Sequence, residues 1–108
     1  MKHNLDAPNK TLTLTFAGDV LSTNAELLQK EAFGTLDSGP VKGADWQTLK
    51  LDLSAAKMID SVGLNLIVSI LRAAKARSAK VIGLISSTSV QRALVFTRLN
   101  TQMELVVV

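Results

Sequence analysis

The sequence predicts an α/β fold, with a mixed sheet of four or five strands packed against three or four helices. Segments of two periodicities alternate along the chain. Residues 11–16 and 49–53 place an apolar side chain at every second position, which is typical of a strand with one buried face. Residues 61–77 place them at every third or fourth position, which is typical of an amphipathic helix. Strands that alternate with helices favour a partly parallel sheet with helical cover.

The composition predicts one globular domain over residues 1–108. Hydrophobic residues make up 47% of the chain and charged residues 19%, which is the balance of a folded domain and not of a disordered one. A chain of this length buries about two-thirds of its unfolded surface, which is enough for a core without metal or disulfide staples. The absence of Cys excludes disulfides and thiolate metal sites.

The first half of the chain predicts an edge strand, a helix and a loop around the strand at 11–16. Residues 4–6, followed by a Pro-Asn turn, indicate the edge strand, and His3 is expected in a frayed terminus. Thr23 and Glu26 fit a capping box at the start of the helix. Residues 37–46 carry dense Gly and Pro turn chemistry and predict a loop. The apolar positions of the helix are Ala25, Leu28, Ala32 and Leu36.

The second half predicts the long helix, a buried strand, a further helix and a last strand. Residues 81–85 are an uninterrupted apolar run, as expected for a central strand covered on both faces. Ser87 and the hydroxyl residues after it can cap a helix that buries Val90 and Leu94, and residues 103–108 predict the last strand. The buried stripe expected on the long helix is Leu64, Ile67, Val68, Leu71 and Ala74.

The residue patterns of common catalytic and metal sites are missing. His3 is the only histidine, which argues against a His-based triad or metal cluster. Residues 34–39 have the glycine spacing of a phosphate-binding loop, but Pro-Val follows instead of the required Lys-Ser/Thr pair. Asp52 and Asp60 are only a weak indication of a carboxylate pair for glycoside hydrolysis. The sequence therefore predicts a protein-binding module, not an enzyme, with no cofactor and no metal.

Charge and hydropathy favour a cytoplasmic protein. The net charge of +3 is mild, and the basic residues cluster only between Arg72 and Lys80, near a helix end, where they complement the helix dipole. No stretch approaches the ~20 apolar residues of a membrane span, and the N-terminus has no apolar signal-peptide region. We therefore expect no nucleic-acid binding and no direct membrane insertion.

The segment 60–64, Asp-Ser-Val-Gly-Leu, opens the long helix and is the strongest candidate site. Asp or Ser ahead of an amphipathic run is a common helix N-cap, and this structural interpretation stands beside a functional one. A hydroxyl at a helix N-terminus lies where the dipole favours phosphate, and Gly63 leaves room for a partner to approach the backbone. Phosphorylation of Ser61 would add a charge of about −1.5 to −2 beside Asp60, and could switch a partner contact.

Several runs follow a family pattern when taken together. They are Leu51-Asp-Leu-Ser54, Met58-Ile-Asp-Ser-Val-Gly-Leu64, Leu12-Thr-Leu-Thr-Phe-Ala-Gly-Asp-Val20, Ala25-Glu26, Val90-Gln-Arg92 and Leu99. An apolar strand, a short link and Asp-Ser-x-Gly-Leu opening a helix resemble the signature of STAS domains. The likeness is to bacterial anti-sigma factor antagonists in particular, and it covers about residues 10–107.

The resemblance implies a phosphorylation-controlled partner switch in transcription regulation. In that family the serine after the aspartate is phosphorylated by a kinase that doubles as the anti-sigma factor, which places the phosphoacceptor at Ser61. The unphosphorylated antagonist binds the kinase and frees the sigma factor, and a phosphatase resets the system. The implied partner surface consists of Asp19, Ser22, Thr23, Asn24, Asp60, Ser61, Val62, Gly63, Leu64 and Asn65.

The chain departs from the family pattern at several positions. Leu21 stands where an aspartate near the partner site is usual. Ser78-Ala79 replace the glycines that often close the long helix, and Arg98 replaces the glycine expected before Leu99. Many relatives add a C-terminal helix after the point where this chain reaches Val108. We therefore expect apolar surface open to a partner or to a second copy, as in a homodimer.

Two other functions stay open from the sequence. STAS domains also serve as small subunits of lipid-transport ATPase complexes and as scaffold parts of stress-signalling assemblies. A sensor domain that binds a nucleotide or small ligand is the alternative of another class, although the phosphate-cradling glycine motif is missing. Trp46 is typical of a core residue that enters a strand, or of an anchor for a partner.

Overall fold

The chain folds around a five-stranded sheet whose strands follow one another in chain order. The strands are β1 (Lys2–Asp6), β2 (Thr11–Thr15), β3 (Thr48–Leu53), β4 (Lys80–Ile85) and β5 (Glu104–Val107). The computed structural model describes all 108 residues. β1 pairs antiparallel with β2, and the three later pairs are parallel. The sheet is therefore mixed, as predicted.

Four α-helices connect the parallel strands. They are α1 (Ala25–Leu36), α2 (Gly39–Lys42), α3 (Ser61–Ala76) and α4 (Thr88–Phe96), and a turn of 3₁₀-helix (Leu99–Thr101) precedes β5. Each parallel pair is joined by a crossover, and right-handed crossovers that all progress in one direction place their helices on the same face of a sheet. The prediction of an α/β fold with three or four helices is confirmed.

The core lies between this helix layer and one face of the sheet. In β2 and β3 the leucines at every second position are buried, whereas the threonines, Lys50 and Asp52 between them are only half-buried. The alternation predicted for residues 11–16 and 49–53 is therefore confirmed. The fully buried side chains of the two strands and the residue after β2 are Leu12, Leu14, Phe16, Leu49, Leu51 and Leu53.

Burial of β4 differs from the sequence prediction. Residues 81–85 were expected to be covered on both faces, but Val81, Gly83 and Ile85 are buried while Ile82 and Leu84 are half-buried. The apolar run misleads because it reports hydrophobicity and not topology. Since every helix crosses on one side, the second face of β4 has no helix over it.

The structure also differs from three local predictions, two in the first half of the chain and one in the long helix. The predicted loop at 37–46 contains α2, which Ser38 precedes in an extended conformation and in which Pro40 occupies the first turn, where its missing N–H costs nothing. His3 is not frayed, because it lies in β1 opposite Leu14. On α3 the buried stripe is shifted from the predicted one, because Leu66 and Ile70 are buried whereas Leu64 and Val68 are only half-buried.

Trp46 is a core residue. Its side chain is buried, and its Nε1–H donates a 3.0 Å hydrogen bond to the carbonyl of Val41. The guanidinium of Arg77 lies 3.7 Å from the ring centroid and donates to the carbonyls of Ala44 and Trp46. The indole thus fixes the segment before β3 against the end of α3 by packing, hydrogen bonding and a cation–π contact.

Candidate functional site

The predicted site residues gather at the carboxyl ends of β2 and β3. The segment 16–24 leaves β2 and meets the segment 54–60 that leaves β3. A single parallel bridge joins Val20 to Ile59, with the Val20 N–H donating to Met58 at 3.2 Å and the Asp60 N–H donating to Val20 at 3.3 Å. The two segments, which are far apart in the sequence, are therefore adjacent in space.

Asp60 joins α3 to the segment that precedes α1. Its Oδ1 accepts a 2.8 Å hydrogen bond from the Gly63 N–H, and its Oδ2 accepts a 2.7 Å bond from the Ser22 N–H. The backbone N–H of Gly63, followed by that of Ser22, holds the pKa of Asp60 below its ordinary value of 3.8, because both bonds stabilise the ionised form. Asp60 is thus the N-cap of α3, as the structural interpretation predicted, and also a tie between two loops.

Asp19 and Asn24 hold the same segment in place. Asp19 Oδ1 accepts hydrogen bonds from the N–H groups of Lys57 at 2.7 Å and Met58 at 3.1 Å. The Asn24 side chain accepts from the Leu21 N–H at 2.9 Å and donates to the Asp19 carbonyl at 2.8 Å. Asp19 therefore binds the backbone through one carboxylate oxygen, and Asn24 binds it through both polar atoms of its amide.

The predicted capping box at Thr23 is wrong. The residue that precedes α1 is Asn24, which makes no side-chain cap bond to the helix, and Thr23 is exposed. The Asn24 amide is already committed to Leu21 and Asp19, so the first turn of α1 is closed by backbone bonds such as Ala25 N–H to Leu21 at 2.8 Å. A local Thr-x-x-Glu pattern could not reveal this competition.

Gly63 serves a purpose different from the one predicted. A Cβ at this position would lie 2.1 Å from the Val20 carbonyl oxygen and 2.9 Å from Ile59 Cγ1. The position is buried, so the backbone that approaches it is that of the chain itself. Glycine is needed for the close packing of α3 against the Val20 segment.

The outer part of the site is the exposed surface around Ser61, which we call the Ser61 surface. Its members are exposed residues of the two loops and of the first turns of α3: Ser22, Thr23, Met58, Ser61, Val62 and Asn65. Met58 is 59% exposed and Val62 is 44% exposed. Sequence analysis missed Met58 because a lone apolar residue in a connecting loop carries no periodic signal. Leu64, by contrast, is half-buried and packs against the core.

Ser61 differs from Ser54, Ser86 and Ser87, which lie at the same end of the sheet. The hydroxyls of Ser54, Ser86 and Ser87 donate hydrogen bonds to Asp52, to the Ser54 carbonyl and to the Lys57 carbonyl. The hydroxyl of Ser61 makes no such bond and lies exposed at the first residue of α3. It is therefore free to react without disturbing an internal contact.

The Ser61 surface lies outside the cavities of the structure. None of the cavities of the structure is lined by residues of 19–24 or 57–65, and small-molecule sites are concave. No group of three or more His, Asp or Glu residues is placed to hold a metal ion. The surface therefore presents exposed apolar side chains next to a free hydroxyl.

Comparison with known families agrees with this architecture. The pattern of the STAS domain family matches residues 2–106. The chain belongs to the STAS domain family. Among curated proteins, none matches it significantly.

Solved structures share the STAS fold. A Thermotoga maritima protein, provisionally assigned as an anti-sigma factor antagonist, superposes with a TM-score of 0.79 at 23% identity, over 96% of this STAS chain and 83% of that protein. An anti-sigma factor antagonist from Mycobacterium paratuberculosis gives 0.71 at 18% identity, over 96% and 83%. The anti-sigma factor antagonist SpoIIAA, in its unphosphorylated form, gives 0.70 at 17% identity, over 97% and 88%.

Within this STAS domain, Ser61 occupies the serine position of the Asp-Ser-x-Gly-Leu motif and α3 begins there. None of the helices combines the length and the apolar character needed to cross a bilayer.

Proposed function

We propose that this STAS domain is an anti-sigma factor antagonist whose binding to an anti-sigma factor kinase is switched off by phosphorylation of Ser61. The observation that carries the proposal is the contrast between the hydrogen bonding of Asp60 and the exposure of Ser61. The aspartate is fully engaged with the backbone of the domain, while the neighbouring serine is exposed at the start of α3. Ser61 therefore combines the serine position of the family motif with a hydroxyl that makes no internal hydrogen bond.

Phosphorylation would change the surface more than the fold. The helix N-terminus accepts a phosphate electrostatically, so the modified Ser61 can stay in place. The flanking side chains of Met58 and Val62 are apolar and exposed, so a partner that covers them would also have to cover the phosphate. Burying a charge of about −2 without a matching cation is unfavourable, which opposes the complex.

The apolar side chain of Leu21 affects which kind of partner this surface can bind. It replaces the aspartate usual in the family, and it lies half-buried beside the Ser61 surface. Asp19 and Asp60 both accept hydrogen bonds from backbone N–H groups, and Leu21 supplies an apolar side chain where the family usually has a third carboxylate. A partner that relies on apolar contacts with Met58 and Val62 suits this domain better than one that relies on an ion pair.

The proposal is tested by affinity capture from an extract of the source organism, with mass spectrometry of the bound proteins. The baits are the wild type, Ser61→Ala, Ser61→Asp and the matched control Ser89→Asp. Ser89 is exposed in the first turn of α4, so its substitution adds the same charge at another helix start. We expect a kinase to be captured by the wild type, by Ser61→Ala and by Ser89→Asp, and capture to fall at least tenfold with Ser61→Asp.

Two outcomes would contradict the proposal. Equal capture of the kinase by Ser61→Asp and the wild type would remove the switch. Capture of transporter subunits by all four baits would assign the domain to a lipid-transport complex and leave Ser61 as an ordinary residue of a helix start. Circular dichroism of each bait establishes that it is folded, which Asp at the first helical position should favour.

A further inference from the structure

The two edges of the sheet are protected unequally. The β1 edge carries Lys2, His3, Asn4 and Asp6 in a five-residue strand, and charged side chains on an edge discourage pairing with another chain. The β5 edge reads Glu-Leu-Val-Val and is followed by Val108. Along this edge Val107 is 64% exposed and Val108 is 63% exposed.

The only charged side chain of β5 does not guard its edge. Glu104 lies at the beginning of the strand, and its carboxylate forms a 3.2 Å ion pair with Lys80 of β4. The ion pair therefore joins β5 to the neighbouring strand of the same chain and does not project from the open edge. From Leu105 onwards the edge is apolar on both faces.

The backbone groups that face outwards from β5 can be assigned. The Val108 N–H donates to the Ile85 carbonyl at 2.8 Å and so points towards β4. Because successive residues of a strand direct their backbone groups to opposite sides, the Val106 N–H also points towards β4. The N–H and C=O groups of Leu105 and Val107 therefore point to the open side, two donors and two acceptors without a strand partner.

We propose that β5 pairs antiparallel with β5 of a second copy of this chain, around a two-fold axis at Val106. Identical strands can pair in this way because a two-fold interface is self-complementary. Opposed residues must lie on the same face of the sheet, which restricts the axis to a residue position. An axis at Val106 brings Leu105 of each copy opposite Val107 of the other, and these two pairs use all the outward donors and acceptors. Axes at Leu105 or Val107 use fewer.

The side chains match this register. Val106 would meet Val106 of the second copy as a pair without direct hydrogen bonds, and Leu105 would meet Val107, so three adjacent cross-strand pairs are apolar. α4, which crosses over to β5, also exposes Val95 and Phe96, the latter by 89%. Together with β5 and the residue after it, α4 holds five of the eight large hydrophobic residues that are exposed in the chain. Apolar side chains exposed on the last two elements favour contact with another protein surface over exposure to solvent.

The interface is small, which sets the expected affinity. A stable complex commonly buries about 800 Å² on each partner, and four strand hydrogen bonds with three apolar pairs fall near or below that size. We therefore expect a dissociation constant on the order of 10 μM. The Ser61 surface lies at the ends of β2 and β3 and takes no part in the pairing, so the dimer is independent of the proposed function.

Sedimentation equilibrium of the 108-residue chain from about 1 to 500 μM tests the association. Val107→Pro removes one outward N–H but no bond to β4, and proline is tolerated on an edge strand when its N–H side faces solvent. The matched control is Val107→Thr, which keeps the N–H and the β-branched shape. We expect Val107→Pro to weaken the dimer at least tenfold, and Val107→Thr by less than threefold. Ser61→Asp should leave it unchanged.

A disulfide test checks the register and does not depend on Val107→Pro. The chain has no Cys, so Val106→Cys introduces one thiol, and Cα atoms of a pair without direct hydrogen bonds lie about 4.5 Å apart, within reach of a disulfide. We expect Val106→Cys to form a covalent dimer on mild oxidation at least tenfold faster than Thr13→Cys, on the same face of the sheet in β2. A monomer at all concentrations, equal rates for the two cysteines, or a dimer that survives Val107→Pro would overturn the proposal.

Discussion

Gly63→Ala is the sharpest test of how the site is built. In an ordinary helix interior this change stabilises a protein by about 1 kcal/mol, because Ala has the higher helix propensity. Here the new Cβ would lie 2.1 Å from the Val20 carbonyl oxygen, a backbone atom that cannot rotate away. The segment that carries Val20 would have to move off α3, or α3 would have to shift.

The cost of that movement follows from what Val20 contributes. Its side chain is fully buried, and burial of a valine is worth about 1.5–3 kcal/mol, part of which would be lost. The bonds from Val20 to Met58 and from Asp60 to Val20 would weaken, each being worth about 1 kcal/mol. After the propensity gain, we expect Gly63→Ala to lower the free energy of unfolding by about 2 kcal/mol.

The chain offers a matched control in Gly34→Ala. Gly34 lies inside α1 and is exposed, and a Cβ there would have no neighbour within 4 Å. We expect this variant to be more stable than the wild type by about 0.5–1 kcal/mol. Urea unfolding can be followed by the fluorescence of Trp46, the single Trp of the chain, which is buried. If Gly63→Ala were as stable as Gly34→Ala, the close packing of Val20 on α3 would be refuted.

Two further substitutions test the termini of α3. Because the folded state lowers the pKa of Asp60 below 3.8, its stabilising effect is present above that pH and is lost as pH falls through the folded value. Asp60→Asn should therefore be less stable than the wild type at pH 7, and urea unfolding should show the difference closing below about pH 4; a constant difference would argue against it. Ser78 has a φ of 59° just after α3, so Ser78→Gly should raise the free energy of unfolding by about 0.5–1 kcal/mol. An unchanged or lower value would show that this conformation costs the serine nothing.

The sequence predicted those elements that depend on local periodicity. The alternating leucines of β2 and β3 and the stripe of α3 each record one buried face, so their secondary structure follows from residue spacing alone. The second face of β4 could not be predicted in this way. Whether a helix covers Ile82 and Leu84 depends on the direction of all the crossovers, which a six-residue window does not contain.

The same distinction applies to the candidate site, where local features could be predicted and long-range contacts could not. The start of α3 at Asp60 and Ser61 could be predicted because an N-cap and the following amphipathic run are neighbours in sequence. The bonds from Ser22 to Asp60 and from Lys57 to Asp19 each join residues 38 positions apart, and no local sequence pattern predicts such bonds. The role of Gly63 was missed for that reason, since the atom that requires a glycine belongs to Val20.

These long-range bonds bear on how a modification of Ser61 would act. A loop held loosely could transmit phosphorylation by changing shape. The segment 19–24 is held instead by the side chains of Asp19, Asn24 and Asp60 and by the packing of Val20 against Gly63. The added phosphate would also leave intact every bond that the Asp60 carboxylate makes, because Ser61 has no part in them. A switch built on this scaffold would therefore act through the charge buried under a partner, at a surface that keeps its shape.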